Sequence, residues 1–425
     1  MVTTIISFII VFGILVFVHE FGHFIVAKRA GIMVREFSIG MGPKLLFYRK
    51  NHTTYTIRLL PLGGYVRLAG SGDDDDEDLK PGTTVKLQLN QQQQVTKIDL
   101  SDKSNLFQGI PVQVTNADLV NDLEITGYEN GDESELKHFR VNHDAVIVNR
   151  EGIELQIAPA DVQFQNAPVS KKLMVNAAGI VNNILLAIVA FTLLSFLQGG
   201  VPQNSNQIQL PAHQPSVARQ AGLQSGDRII AVDGQSTPTF NAVAERVSAK
   251  PNQRIRLTVV DHGRKRQVSL KTTSQKVQKR TVGMIGVTKS LDSSFTAKLT
   301  SGFSQTWQST KQLGAALWRM VSGHFSLNDL GGPVAIYAST SQATTYGLVG
   351  VVSLLAWLSI NLAVVNLIPI PALDGGKILL NLIELIRRKP LSENVETAIT
   401  LVGFACLAIL MILVTWNDIM RYFIH

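Results

Sequence analysis

Cysteine is almost missing from this sequence: Cys406 is the single one in 425 residues. One thiol cannot close an intramolecular disulfide, and a cysteine-built zinc or redox site is excluded with it. Charge is scarce too, at 17% of residues against 45% apolar. The apolar residues gather in long blocks, which points to membrane spans rather than to a large soluble core. A net charge of +7 comes from scattered basic residues, with no basic stripe interleaved by aromatics. Nucleic acid is therefore excluded as a partner, and contact with anionic lipid headgroups accounts for the excess. The first apolar block lacks basic residues ahead of it and a small-residue cleavage site behind it. A cleavable signal peptide needs both, so that reading is rejected.

What is there begins with four blocks: Thr3 to Ala27, Leu173 to Leu197, Tyr346 to Ile368 and Ala398 to Val414. Each is long enough to cross a hydrocarbon core of ~30 Å as a helix. Lys28 and Arg29 follow the first, Lys171 and Lys172 precede the second, and Arg387, Arg388 and Lys389 separate the third from the fourth. Val201 to Ser216 and Ser322 to Tyr346 hold no lysine or arginine. The positive-inside rule then predicts an external N-terminus, cytoplasmic residues 28–172 and external residues 199–345.

Between the spans the pattern changes. Leu45 to Tyr48, Thr54 to Leu60 and Tyr65 to Leu68 read as short strands, with turns at Asn51-His52 and at Pro61 to Gly64. The acidic run Asp73 to Asp78 and the Gln91 to Gln94 run read as solvated connectors, with no metal assigned to the acids. Residues 95–165 alternate as strands do, predicting a β-rich insert. On the external side, Ala221 to Gly234 reads as a Gly-Asp turn, a buried strand and an Asp-Gly hairpin turn. That stretch resembles the core of PDZ domains, extended by Arg256 to Val260 and Gln267 to Leu270. Such domains bind extended peptides by adding a strand to a sheet edge. Residues 295–322 predict an amphipathic helix offering Phe303, Trp307, Leu317, Trp318 and Met320 to the membrane surface.

The chemistry sits inside the first span, in His19-Glu20-Phe21-Gly22-His23. Helix positions i and i+4 share a face, so both imidazoles reach one ion. Zinc favours imidazole, and Glu20 is placed to activate a water on the metal. Ionisable residues in consecutive turns of a spanning helix are costly in lipid and default to a functional reading; the rival is a snorkelling or inter-helix bonding cluster. Two histidines leave a catalytic zinc one protein ligand short. Asn366-Leu367-Ile368-Pro369-Ile370-Pro371-Ala372-Leu373-Asp374-Gly375 closes the third span on the same predicted side. Its prolines break the helix, and Asp374 is the natural third ligand.

Together, H-E-x-x-H in the first span, N-x-x-P-x-P-x-L-D-G in the third, and the PDZ-like stretch before it resemble the site-2 protease family of intramembrane zinc metalloproteases. The likeness covers almost the whole chain. With one PDZ-like unit evident, it is to the Gram-positive branch. It implies Zn2+ held by His19, His23 and Asp374, Glu20 as catalytic acid/base, and Asn366 on the substrate backbone. It implies further that residues 44–68 form a membrane re-entrant β-hairpin. Substrates would be single-span membrane proteins, such as anti-sigma factors, or signal-peptide remnants, with an upstream site-1-type protease making the earlier cut. Ile180, in the small-residue motif Ala177 to Asn183, stands where members carry proline, so local helix geometry is in question there.

The expected fold is a polytopic α-helical membrane protein of the bacterial cytoplasmic membrane, with four transmembrane helices. The first span with its metal motif covers 1–27, the re-entrant hairpin region 28–70 and the cytoplasmic β-rich insert 71–168. The second span covers 172–198, the extracytoplasmic PDZ-like domain 203–290 and an amphipathic connector 291–345. The third span with its proline loop takes 346–389 and the fourth span 394–418. Two other classes stay open: an inactive PDZ-bearing membrane scaffold, and a zinc or proton transporter. Intact Glu20 speaks against the first, and the lack of internal repeats and of several charged spans against the second.

Overall fold

The computed structural model describes residues 2–70, 79–101, 109–211, 216–277, 280–323, 326–327 and 330–421. The acidic run Asp73 to Asp78 lies outside them. Helices in chain order are α1 (Val2–Arg29), α2 (Val169–Leu197), α3 (Val217–Gln220), α4 (Phe240–Ser248), α5 (Phe295–Val321), α6 (Pro333–Thr345), α7 (Gly347–Asn366), α8 (Asp374–Arg387) and α9 (Glu393–Ile419). Two compact units form, one from residues 1–187 with 308–425, the other from 188–307.

Four helices of the described residues are long and apolar enough to cross a membrane: α1, α2, α7, and α9 from Asn394. They fall on the four apolar blocks. On α9, Leu401, Val402, Phe404 and Ile412 are all more than 60% exposed, a surface suited to hydrocarbon and not to water. α7 stops at Asn366 because the loop beyond it carries Pro369 and Pro371, which cannot continue the backbone ladder. Ala372 there takes a φ of 84°, a left-handed conformation that costs a residue with a Cβ. α8 then starts at Asp374.

After α1 the chain makes one long hairpin, β1 (Val34–Lys50) and β2 (Thr53–Leu68). Its turn is Asn51-His52, both with positive φ (48° and 62°), as a tight two-residue connection requires. Each strand bends and pairs twice. Phe37 faces Val66 on one side and Tyr55 on the other, while Tyr55 also faces Tyr48. The result is four segments, ordered 44–50, 53–58, 34–41, 60–68, in which the two outer pairings are antiparallel and the central one, 53–58 beside 34–41, runs parallel. The bend in β1 depends on Gly40, at a φ of 87°, where a Cβ would lie 2.5 Å from the Leu60 carbonyl oxygen.

Two details differ from the sequence reading. The central segment 34–41 was not anticipated, and Pro61 to Gly64 runs within β2 rather than as a separate turn. Strand alternation locates a strand but says nothing of its register, and a bent strand has two partners. The Arg58 guanidinium ties the segments together. It donates to Ser38 Oγ at 3.0 Å, Glu36 Oε1 at 3.0 Å, Gly42 O at 2.8 Å and the Tyr65 hydroxyl at 2.5 Å. Thr56 adds a hydroxyl to Glu36 at 2.8 Å.

The insert holds β3 (Thr84–Leu89), β4 (Val95–Asp99), β5 (Ile110–Asp118), β6 (Glu124–Glu129), β7 (Leu136–Val148) and β8 (Glu154–Gln156). The order is β4-β3-β5-β6-β7-β8, and β4 also pairs with β7, closing a small barrel that protects its edges. Val85, Leu87, Val95, Ile98, Val112, Ile125 and Ile147 fill it. Gln91 to Gln94 form the mostly exposed connection between β3 and β4, a tight turn in which the Asn90 side-chain oxygen accepts from the amides of Gln92 and Gln94, both at 2.9 Å. The insert is fastened to the hairpin base by Arg35, which donates to the Gln156 carbonyl, and by Met33 N to Val162 O at 2.9 Å.

In the second unit a four-stranded antiparallel sheet runs in the order Gln235–Ser236, Arg228–Val232, Arg254–Asp261, Arg264–Lys271. Ile229, Leu257, Val259 and the α4 residues Val243 and Val247 share its core. Asp233-Gly234 makes the tight turn, and the Asp233 carboxylate accepts from Arg256 N at 2.7 Å and from Lys250. The Lys250 ammonium, then the Arg256 amide, hold that carboxyl below its ordinary range.

Candidate metal centre

His19 and His23 are one turn apart on α1, and both face α2 and α8. Their Nε2 atoms are 3.4 Å apart. Asp374, the first residue of α8, brings Oδ2 to 3.4 Å from His19 Nε2 and 3.3 Å from His23 Nε2. All three residues are buried, and Asp374 Oδ2 has no hydrogen-bond partner. An orphaned carboxylate oxygen at this depth is costly.

The triangle fits a zinc ion. A tetrahedron with bonds of about 2.0–2.1 Å has edges of about 3.3–3.4 Å, which is the separation of all three pairs. Imidazole, imidazole and carboxylate also form the donor set of an open zinc site. Among the described residues this is the one cluster of histidine, cysteine or acidic groups suited to an ion.

The space for an ion exists because α2 presents glycine there. A Cβ on Gly179 would sit 2.3 Å from His23 Nε2 and 2.6 Å from His19 Cε1. α2 also supplies the bonds that orient the rings. His23 Nδ1 lies 2.8 Å from the Val175 carbonyl oxygen, so the proton belongs on Nδ1 and the Nε2 lone pair faces Asp374. Next to His19 Nδ1, at 3.1 Å, is the Asn183 side-chain amide. Asn182 donates to the Val18 carbonyl at 3.0 Å, and the Ser359 hydroxyl of α7 to the Asn183 carbonyl at 2.7 Å. These bonds lock α1, α2 and α7 together around the cluster. α2 runs unbroken through Ile180, so the helix is regular at that position.

Glu20, half-buried on α1, stands beside the 60–68 segment: a Cβ on Gly64 would come within 3.0 Å of Glu20 Cγ and 2.8 Å of Val16 Cγ1. No further strand pairs along that segment among the described residues. Asn366 is buried as the last residue of α7.

The sequence reading named His19, Glu20, His23, Asp374 and Asn366, and the structure brings His19, His23 and Asp374 together. It passed over Gly179 and Asn183, although both lie in the Ala177 to Asn183 stretch it singled out. It also passed over the pair of Lys172 and Glu384.

Peptidase family M50 matches the chain over residues 7–410. A protein of Enterococcus faecalis described as "Probable protease eep" is 48% identical over 423 residues, covering 99% of each chain. A Streptococcus pyogenes protein named as a zinc metalloprotease is 49% identical over 427 residues, again 99% of each. One from Lactococcus lactis, similarly named, is 43% identical over 439 residues and covers both chains entirely.

Proposed function

The chain belongs to peptidase family M50 and is a zinc metalloprotease, and on that premise we propose that it cuts single-span membrane proteins or signal-peptide remnants within the bilayer. The observation that carries this is the equal spacing of His19 Nε2, His23 Nε2 and Asp374 Oδ2, beside a glutamate and inside apolar helices.

His19, His23 and Asp374 hold the ion. Zinc bound there supplies a Lewis acid at the scissile carbonyl and makes a water nucleophilic near neutral pH. Glu20 takes the proton of the attacking water and returns it to the leaving amine. A substrate helix in lipid has every backbone bond satisfied internally, so it must unwind before it is cut. The hairpin, as a membrane re-entrant element, replaces those bonds by strand addition, and the 60–68 segment beside Glu20 is the edge best placed for it. Asn366 holds the substrate backbone.

In this reading the N-terminus and residues 203–290 lie outside the cytoplasmic membrane, and the insert lies in the cytoplasm. The PDZ-like fold of 203–290 acts as a size filter, admitting anti-sigma-factor-like substrates only after an upstream site-1-type protease has trimmed them. Deleting 203–290 then relaxes selectivity for trimmed substrates; unchanged discrimination removes the filter role. The central test compares wild type with Glu20→Gln in detergent, scoring bound zinc and cleavage of a generic single-span substrate. Both should hold about one zinc per chain and only wild type should cut. A variant that cuts as fast as wild type overturns the role of Glu20.

A further inference from the structure

The two histidines of the cluster are oriented differently. The His23 ring is set by a main-chain carbonyl, Val175 O at 2.8 Å. The His19 ring faces a side chain, the Asn183 amide, through its nitrogen at 3.1 Å. Asn183 is fully buried, and its oxygen Oδ1 has no hydrogen-bond partner.

A ring that offers Nε2 to a metal carries its proton on Nδ1. The amide nitrogen of Asn183 is also a donor, and two donors facing each other repel. A half-turn of the amide exchanges its oxygen and nitrogen within the same outline. The orphaned Oδ1 then accepts from His19 Nδ1–H, and the Nε2 lone pair is directed at Asp374 and His23. Main-chain bonding from Gly179 also reaches this ring, so Asn183 shares the task. Its own backbone is held by the Ser359 hydroxyl at 2.7 Å, which fixes where the amide can stand.

We infer that Asn183 is a positioning residue for the metal: its side-chain oxygen holds His19 in the tautomer and rotation that ligate zinc. This rests on the zinc reading of the cluster. Ligand histidines usually donate their second N–H to such an acceptor, and removing one typically weakens metal binding about 10–100-fold.

The test uses the full chain in detergent, with zinc affinity read by competition with a chromogenic chelator and ligand geometry by the visible spectrum of the cobalt-loaded protein. Asn183→Ala should weaken zinc about 10-fold, the lower end of the range, because Gly179 remains. Asn183→Asp, whose oxygens only accept, should restore affinity. Asn182→Ala removes an equivalent α1–α2 bond without touching the ring and should leave affinity and spectrum unchanged. The inference is overturned if Asn183→Ala binds as wild type does, if Asn183→Asp is equally weak, or if Asn182→Ala is as damaging. A wild type that holds no zinc sinks the metal reading itself, and this inference with it.

Discussion

The Lys172 ammonium lies 2.9 Å from Glu384 Oε1 and 3.1 Å from Oε2, and the two side chains keep only 6% and 16% of their exposure. The pair joins the start of α2 to the far end of α8, the helix whose first residue is Asp374. Removing one partner of a buried ion pair strands the other charge and costs roughly 3–5 kcal/mol, while replacing both by apolar groups is often neutral. Lys172→Met and Glu384→Gln should therefore each lower thermal stability in detergent and loosen zinc. The double variant Lys172→Met with Glu384→Leu should recover most of the stability. Single variants as stable as wild type would show that the pair contributes nothing.

Gly179→Ala puts a methyl where the ring nitrogens of His19 and His23 converge. The rings must turn away, so zinc affinity should fall at least about 100-fold, beyond the usual effect of losing an orienting bond. Gly13→Ala on α1 meets nothing within 4 Å and is the matched control, expected to bind zinc normally. Chelator competition on the two variants decides the matter.

How much of this was legible follows from the kind of signal each residue leaves. His19 and His23 announce themselves because helical periodicity alone puts i and i+4 on one face, and imidazoles in an apolar run are conspicuous. Asp374 was legible for a similar reason, since two prolines mark broken helix at a membrane boundary. Gly179 contributes the absence of a side chain, and one glycine in an apolar helix carries no direction. Asn183 does its work through an orientation that only the neighbouring helix defines. The double pairing of the hairpin was hidden because Val34 to Ile39 does not alternate, and these residues are buried almost without a break, so no period-2 pattern marks the central segment. The ion pair of Lys172 and Glu384 joins residues 212 positions apart, and nothing local relates them; Lys172 read only as a topology charge.

Arg58, on the 53–58 segment, bonds to the 34–41 and 60–68 segments and to the bend at Gly42. Arg58→Met leaves the 5% exposed Glu36 with the neutral hydroxyls of Thr56 and Tyr65 and no cation, a loss of order 3–5 kcal/mol for the hairpin. Hydrogen exchange across 34–68 should quicken and cleavage should fall, while zinc content stays at the wild-type level. Arg58→Lys should not rescue, because an ammonium cannot reproduce the planar fork. Loss of zinc in parallel with activity would place Arg58 in the metal site instead of in substrate presentation.

The insert should respond to pH through His143. Its Nδ1 lies 3.0 Å from Asp144 Oδ1 and its Nε2 3.0 Å from Asp161 Oδ1. These carboxylates, Asp144 first, raise the imidazole above its ordinary 6.5. A histidine raised on folding stabilises the fold fully below the unfolded value, and that contribution disappears as pH rises through the folded value. The bond to Asp161 ties β7 to the turn Ala160–Val162, beside the Met33 contact that fastens the insert to the hairpin base. Protection from hydrogen exchange in 136–148 and 154–162 should therefore exceed that of His143→Gln at pH 6. The difference should shrink as pH rises through the raised value of the folded state, and because the ring is 45% exposed it should be small throughout and smaller still in high salt. A gap that widens with rising pH would mean that neutral His143 is the stabilising form, and that the two aspartates are not its partners in solution.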